Sequence, residues 1–365
     1  MSTRRRRAKL ALIIPAHNEQ VVIASTIQSA TKAGMPKKDI YVVDDNSSDD
    51  TSKIAVAMLG QANVLKVGRS GKAGAVKKAF GCFNIAERYQ WVHVADADGV
   101  FGEEYFSALM PKLTRRYAAA TGHVQSLPGG WISQFRTYEY TIGLEIMRRI
   151  QSWLGVITVI PGPTSCFRTD IFARIDFSDT SLTEDFDATL QIHRRKLGKI
   201  VYVPEAKAYT QDPKDYHDFT VQVARWYRGF FQGIKKYGIG LKLNRIDGYI
   251  GYMIGETVLM TIELAAVIVL GLMSQRGLYV ASVYVLADIA FQLGWTVFAA
   301  YINSRWDILK ACPLFYVLRF TNLYIFYKSF VEVVILKKFT DTKPGWDTRG
   351  RRYRIQTQVA VNKGA

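Results

Sequence analysis

The chain has 365 residues, 49% of them hydrophobic, and carries a formal net charge of +17. Its three cysteines, Cys82, Cys166 and Cys312, stand far apart, and its five histidines form no HExxH; this argues against a disulfide framework, a zinc cluster and a histidine-based metal centre. The excess charge suits anionic lipid headgroups and polyanionic small molecules, and with no recognisable nucleic-acid-binding motif beside it, no nucleic acid is expected as a partner.

Arg4–Arg7 form a basic run at the start of the chain. The strand-like ALIIP follows almost at once and leaves no signal-peptide core, so the N-terminus is expected in the cytosol. Leu10–Ile14 is a short apolar run closed by Pro15, the pattern of a buried parallel strand. A helix is predicted from about Gln20 to Ala33, a strand over Ile40–Val43 and a helix over Thr51–Leu59. A strand over Val64–Val67, a helix over Ala73–Arg88 and a strand over Trp91–Ala95 come next. Strands alternating with helices predict an α/β fold: a mostly parallel sheet with helices on both faces. Ligands of such sheets sit beyond the carboxyl ends of the strands, where Asp44, Asp45, Asp96 and Asp98 fall.

Between Ser133 and Leu154, Phe135, Tyr138, Ile142, Ile146, Ile150 and Trp153 recur at helical spacing, predicting a helix packed on the sheet. Over 219–237, Phe219, Val223, Trp226, Phe230, Ile234 and Tyr237 share one face; this helix either lies in a membrane interface or docks on the preceding domain. Tyr249–Met273, Leu278–Ile302 and Pro313–Leu336 are each long enough to cross about 30 Å of hydrocarbon. Glu256, Glu263 and Asp288 interrupt the first two, and groups of this kind usually face a bundle interior or an aqueous path. The third carries Arg319, Lys328 and Glu332 and reads as partly interfacial. Lys337, Lys338, Lys343, Arg349, Arg351, Arg352 and Arg354 then favour a cytosolic tail. The expected divisions are a basic tail over 1–8, a cytoplasmic catalytic domain over 9–215 and an interfacial helix region over 216–245. A membrane region of two or three helices over 246–338 and a basic cytoplasmic tail over 339–365 complete the chain.

Asp96-Ala97-Asp98 ends an apolar strand, where two carboxylates one residue apart can converge on a hard cation that keeps open positions for phosphate oxygens. Asp44-Asp45-Asn46-Ser47 ends another, and a carboxylate there can accept from a base ring N–H or simply cap the next helix. Gly68-Arg69-Ser70-Gly71-Lys72-Ala73-Gly74 is a glycine-rich loop entering a helix; its N–H groups and Lys72 favour an anion, without the spacing of a P-loop or a dinucleotide fold. Thr183-Glu184-Asp185 reads as a helix cap or as a general base acting on a hydroxyl. In Gln222-Val223-Ala224-Arg225-Trp226, Arg225 can hold a diphosphate and Trp226 can offer its face to a sugar; the bland alternative is an interfacial Trp/Arg pair.

These pieces, with Ile14-Pro15-Ala16-His17-Asn18-Glu19 and Gly162-Pro163-Thr164-Ser165-Cys166-Phe167-Arg168, resemble in order and spacing the family-2 glycosyltransferases. The likeness is strongest to the processive membrane synthases of hyaluronan, poly-N-acetylglucosamine, chitin and cellulose. The tail Lys343-Pro344-Gly345-Trp346-Asp347-Thr348-Arg349-Gly350 is similar to the Trp-Gly-Thr-Arg motif of hyaluronan synthases, with Asp347 in place of glycine. The resemblance implies a GT-A fold and an inverting transfer, from a UDP-sugar to a growing glycan, at the cell membrane. It implies Mg²⁺ or Mn²⁺ on Asp98 with Asp96, and Asp185 as base. Pro15, Glu19, Asp44, Asp45, Lys72, Asp96 and Arg225 would meet the donor, and Gly162, Ser165, Cys166, Arg168, Glu184, Gln222 and Trp226 the acceptor. N-acetylglucosamine or a related hexose is the implied sugar. Spans ahead of the catalytic domain are absent and the later membrane region is short, which suggests a membrane partner or a second copy for polymer export. The rival readings are a transferase that loads one sugar onto a polyprenyl phosphate, and a non-catalytic membrane scaffold.

Overall fold

A computed structural model describes residues 9–177, 181–239 and 244–339; the tail motif and Arg4–Arg7 lie outside these residues. Eight strands form one sheet: β1 (Leu10–Ala16), β2 (Ile40–Asp45), β3 (Val64–Val67), β4 (Trp91–Val94), β5 (Val100–Phe101), β6 (Tyr117–Ser126), β7 (Ser165–Arg168) and β8 (Lys199–Thr210), in the order β3-β2-β1-β4-β7-β6-β8-β5. The four strands predicted from apolar runs are its parallel half, with Ile13 opposite both Tyr41 and Val94. The other half is mixed rather than parallel. Ser165 opposite Val94 starts β7 at the edge where β4 ends, so β7 must run backwards; β6 then pairs antiparallel with β7 and parallel with β8.

β1, β2 and β4 are buried on both faces, which is why they read as apolar runs, whereas the edge strand β3 exposes Lys66. Leu10, Leu12 and Ile14 point to one side, against Ile23 and Ile27 of α1 (Ile23–Lys32) and Tyr105 and Phe106. Ala11 and Ile13 point to the other, against Ala75, Val76 and Ala79 of α3 (Gly71–Cys82), which follows α2 (Thr51–Leu59) and β3.

The helical stretch predicted over Ser133–Leu154 is present as α4 (Trp131–Tyr140), a π-helical turn over Thr141–Met147 and a final helical segment, Arg148–Leu154. It packs on the sheet along β6 and β8, with His123 of β6 3.4 Å from Glu145, and it also meets later helices: Phe135 packs with Phe219, Val223, Phe315 and Leu318, while Trp153 is 84% exposed. Helical periodicity identifies an apolar face, not the partner that covers it.

After α5 (Glu184–Arg194), α6 (Tyr216–Tyr237) starts at Asp215, whose carboxylate accepts the Asp218 N–H at 2.9 Å, and ends at Gly238 in the left-handed region. It docks on the protein: Phe219, Val223 and Phe231 are buried. Next come α7 (Arg245–Met273) and α8 (Gln275–Asn303), each 29 residues and about 43 Å long. Among the described residues these two helices are long and apolar enough to cross a membrane. The third apolar segment, now α9 (Cys312–Phe330), instead lies along α6, burying Phe315, Leu318, Ile325 and Phe326. Two charges of the segment are paired: Arg319 of α9 reaches Asp288 at 2.9 Å, and Glu332 just beyond α9 reaches Arg228 at 2.8 Å.

Candidate active site

The loops after β1 and β2 are lashed together. Asn18 and Asn46 adopt positive φ, the Asn18 N–H donates to Ser47 Oγ at 2.9 Å, and the Ser48 N–H donates to Asn18 Oδ1 at 2.8 Å. Asn tolerates this left-handed backbone better than other residues with a side chain. The Glu19 N–H donates to Thr51 Oγ1 at 2.7 Å, with the Glu19 side chain buried, and Pro15 sits opposite Val43 at the end of β1.

The two buried aspartates divide their work. Asp45 accepts from the Ser70 N–H at 2.6 Å, the Ser70 hydroxyl at 3.0 Å and the Gly71 N–H at 2.9 Å, with Arg69 at 3.4 Å. It therefore clasps the glycine-rich loop at the start of α3. Asp44 accepts the Ser47 N–H on Oδ1 at 2.8 Å, and its Oδ2 is buried without a hydrogen-bond partner. A buried carboxylate oxygen left bare is costly, and a ligand N–H would satisfy it.

Beyond β4 the chain leaves the sheet at Asp96-Ala97-Asp98, and both aspartates keep solvent contact. The Thr26 hydroxyl of α1 lies 2.6 Å from the Ala97 carbonyl and 2.8 Å from that of Gly99, which fixes this turn. Lys72, entering from α3, lies 2.7 Å from Asp96 Oδ1 and 2.8 Å from Glu184 Oε1. Burial works against its charge, but the two carboxylates outweigh that and hold its pKa above the ordinary lysine value. Gly162 completes the cluster. A Cβ there would stand 2.7 Å from Asp96 Oδ2 and 3.1 Å from Lys72 Nζ, so a larger residue would have to push the ends of these two side chains aside. Gly162→Ala is expected to displace Asp96 and lower turnover at least about ten-fold with a small loss of melting temperature; full activity in steady-state assays would refute the placement.

Asp185 adjoins Glu184 at the start of α5. Burial and the Glu184 carboxylate push its pKa up to about 6, with Lys72 and Arg225 pulling the other way. Glu184 shifts in the opposite direction: burial disfavours its charge, and Lys72 more than offsets this, so its pKa lies below the ordinary value. Two adjacent carboxylates thus have their pKa values driven apart, the pattern of an assigned base beside a permanent anion. Arg225 also donates to the Leu182 carbonyl at 3.1 Å, and the Leu182 N–H donates to Gln232 at 3.1 Å. Helix α6 closes on this segment where it has no side chain: a Cβ at Gly229 would meet Thr183 Oγ1 at 2.2 Å.

The structure brings Lys72, Asp96, Gly162, Glu184, Asp185 and Arg225 together. Cys166 and Arg168 are not part of this group. Cys166 is fully buried in the sheet core, and Arg168, opposite Trp91, sits at the far edge bonded to Asp170 and to the Arg115 and Tyr117 carbonyls. Because β7 runs away from the site, only its first residues can serve it. Ser165 spends its hydroxyl on the Ile160 and Pro161 carbonyls, which holds the Gly162 turn. Gln222 accepts from Arg136, a residue that sequence reasoning left inside a packing helix; the visible signal was a charge midway along an apolar face.

No group of three His, Cys, Asp or Glu side chains able to hold a metal is found among the described residues. The Asp96/Asp98 pair supplies oxygen donors only, and the missing side chain at Gly162 leaves space against Asp96 Oδ2. That donor set fits a hard divalent cation completed by ligand oxygens.

Residues 7–229 match the family described as "Glycosyltransferase like family 2". The chain is 25% identical over 228 residues to the poly-beta-1,6-N-acetyl-D-glucosamine synthase of Staphylococcus epidermidis, covering 60% of this chain and 54% of that protein. It is 28% identical over 246 residues to the probable glycosyltransferase YdaM of Bacillus subtilis, covering 60% and 55% respectively. The chain thus spans about half the length of the curated relatives it matches. The fold is similar to that of the mannosyltransferase PcManGT from Pyrobaculum calidifontis, solved in complex with GDP-Man and Mn²⁺. That likeness has a TM-score of 0.59 at 16% identity, covering 85% of this chain and 87% of the other.

Proposed function

Because the chain belongs to the family-2 glycosyltransferases, we propose that it transfers N-acetylglucosamine or a related hexose from a UDP-sugar to a growing polysaccharide at a membrane. The observation that carries this reading is the bridge of Lys72 between Asp96 and Glu184, with Asp185 beside it. It joins the cation a diphosphate needs to the base an acceptor hydroxyl needs.

Asp185 takes the proton from the acceptor hydroxyl, and that oxygen attacks the anomeric carbon from the face opposite the diphosphate, inverting it. Lys72 and Arg225 offset the charge of the departing nucleotide. Asp44 Oδ2 accepts from the base ring, and Trp226 offers its face to the acceptor sugar. Asp98 and Asp96 would hold Mg²⁺ or Mn²⁺, which when bound neutralises diphosphate charge. Two crossings by α7 and α8 return the chain to its starting side, so the basic tail and the catalytic domain share the cytoplasmic face.

One observation favours a second reading, a single sugar loaded onto a polyprenyl phosphate: only α7 and α8 among the described residues have spanning character. A donor screen on membranes containing the protein separates the two. Released UDP with a ladder of products supports the polymerase, and one lipid-linked sugar supports the rival. No nucleotide release from any donor would refute both.

A further inference from the structure

Arg136 is 97% buried in α4, and its guanidinium lies between two rings of α6. Its central carbon is 4.6 Å from the Trp226 ring centroid and 4.7 Å from that of Phe219. In the plane of the fork, Nη2 donates to Gln222 Oε1 at 2.9 Å and Nη1 donates to Glu139 Oε2 at 2.6 Å. Glu139 in turn accepts from Asn322 of α9 at 3.0 Å. One side chain therefore touches both the glutamine and the tryptophan of the Gln222–Trp226 motif, and its counter-ion ties it to the last apolar helix.

We propose that Arg136 is a positioning residue of the acceptor subsite, fixing the Trp226 ring plane and the Gln222 amide from the side opposite the sugar. Trp226 is only partly buried, and with the guanidinium against one face the other is assigned to a pyranose. A flat cation suits this task and a lysine does not: only guanidinium can stack between two rings while bonding two acceptors in its own plane. The inference rests on Trp226 being the acceptor platform.

The test compares Arg136→Lys, Arg136→Met and the charge-balanced Arg136→Met/Glu139→Gln in the full chain. Acceptor KM is expected to rise at least about ten-fold in all three. Donor KM should stay within about two-fold of the parent value, since no contact of Arg136 reaches the Lys72 cluster. The double variant removes both members of the Arg136–Glu139 pair, and the buried Asp212 that Arg136 also faces is left the same as in Arg136→Met, so its melting temperature should recover relative to Arg136→Met while its acceptor KM does not. Recovery of both together would overturn the proposal and leave Arg136 a purely structural ion pair. A second readout needs no turnover: the emission of Trp226, taken as the difference between parent and Trp226→Phe, should shift and broaden in Arg136→Met. An unchanged difference spectrum overturns the positioning role. Failure of sugar transfer in the parent would count instead against the acceptor reading on which the subsite rests.

Discussion

Asp185→Asn is expected to lower turnover by about 10²–10⁴-fold while leaving donor affinity nearly unchanged. The amide keeps the shape of the side chain, including the oxygen that accepts the Phe186 N–H at 2.8 Å, but cannot take a proton. Isothermal titration with UDP-sugar beside a turnover assay checks both halves. Stability should not fall. The native fold raises the Asp185 pKa to about 6, so ionisation of this group works against folding at neutral pH, and the variant is relieved of that cost. The pH profile gives an independent sign. A base must be deprotonated to act, so kcat/KM of the parent protein should be flat at neutral pH and decline as pH falls through about 6. Normal transfer by the variant, or an unaltered acid limb, would remove Asp185 from the mechanism.

Lys72→Met should cost more than activity. It leaves Asp96 and Glu184 facing each other without the cation that lies within 2.8 Å of both. Removing one partner from such a cluster destabilises a protein by about 1–3 kcal/mol, so thermal unfolding should move clearly downward. Turnover should drop at least about 10²-fold, because in the proposed mechanism the same ammonium offsets leaving-group charge. A further consequence separates this role from simple loss of fold. Lys72 holds the Asp185 pKa down against burial and Glu184, so the acid limb of residual activity should move to higher pH. A variant with reduced activity but an unmoved limb would place Lys72 outside the field of the base.

The parallel half of the fold was legible because β1, β2 and β4 are apolar runs buried on both faces and are punctuated by Pro15, Asp44-Asp45 and Asp96. The other half was hidden for physical reasons. β6 is rich in alanine and lacks both alternation and β-branched runs, and β8 contains Pro204 and Lys207 beside a break in register between Gly122 and His123. Such strands are specified by their neighbours more than by their own residues. Within the site, the carboxylates could be found because they stand at strand ends. What could not be found is how they divide. Asp44 and Asp45 are adjacent and equally buried, yet one clasps a loop and the other keeps a bare oxygen. Lys72, Asp96 and Glu184 belong to separate segments, and only the folded sheet shows that one ammonium serves both acids. Cys166 and Arg168 were misread because a motif on a reversed strand points most of its length away from the edge where it begins.

The backbone of Leu182 is gripped on both sides by α6, its carbonyl by Arg225 and its N–H by Gln232. Three residues later stands Asp185. The height of that base above the sheet is thus set by a rod that continues toward the two longest apolar helices, much as a needle is held by its arm rather than by the record beneath it. A fragment cut at Asp215 to obtain a tractable enzyme would keep the donor loops and lose the support that aims the acid at its target. Detergents or lipids that tilt the rod would be felt first as altered chemistry, before any strand came apart.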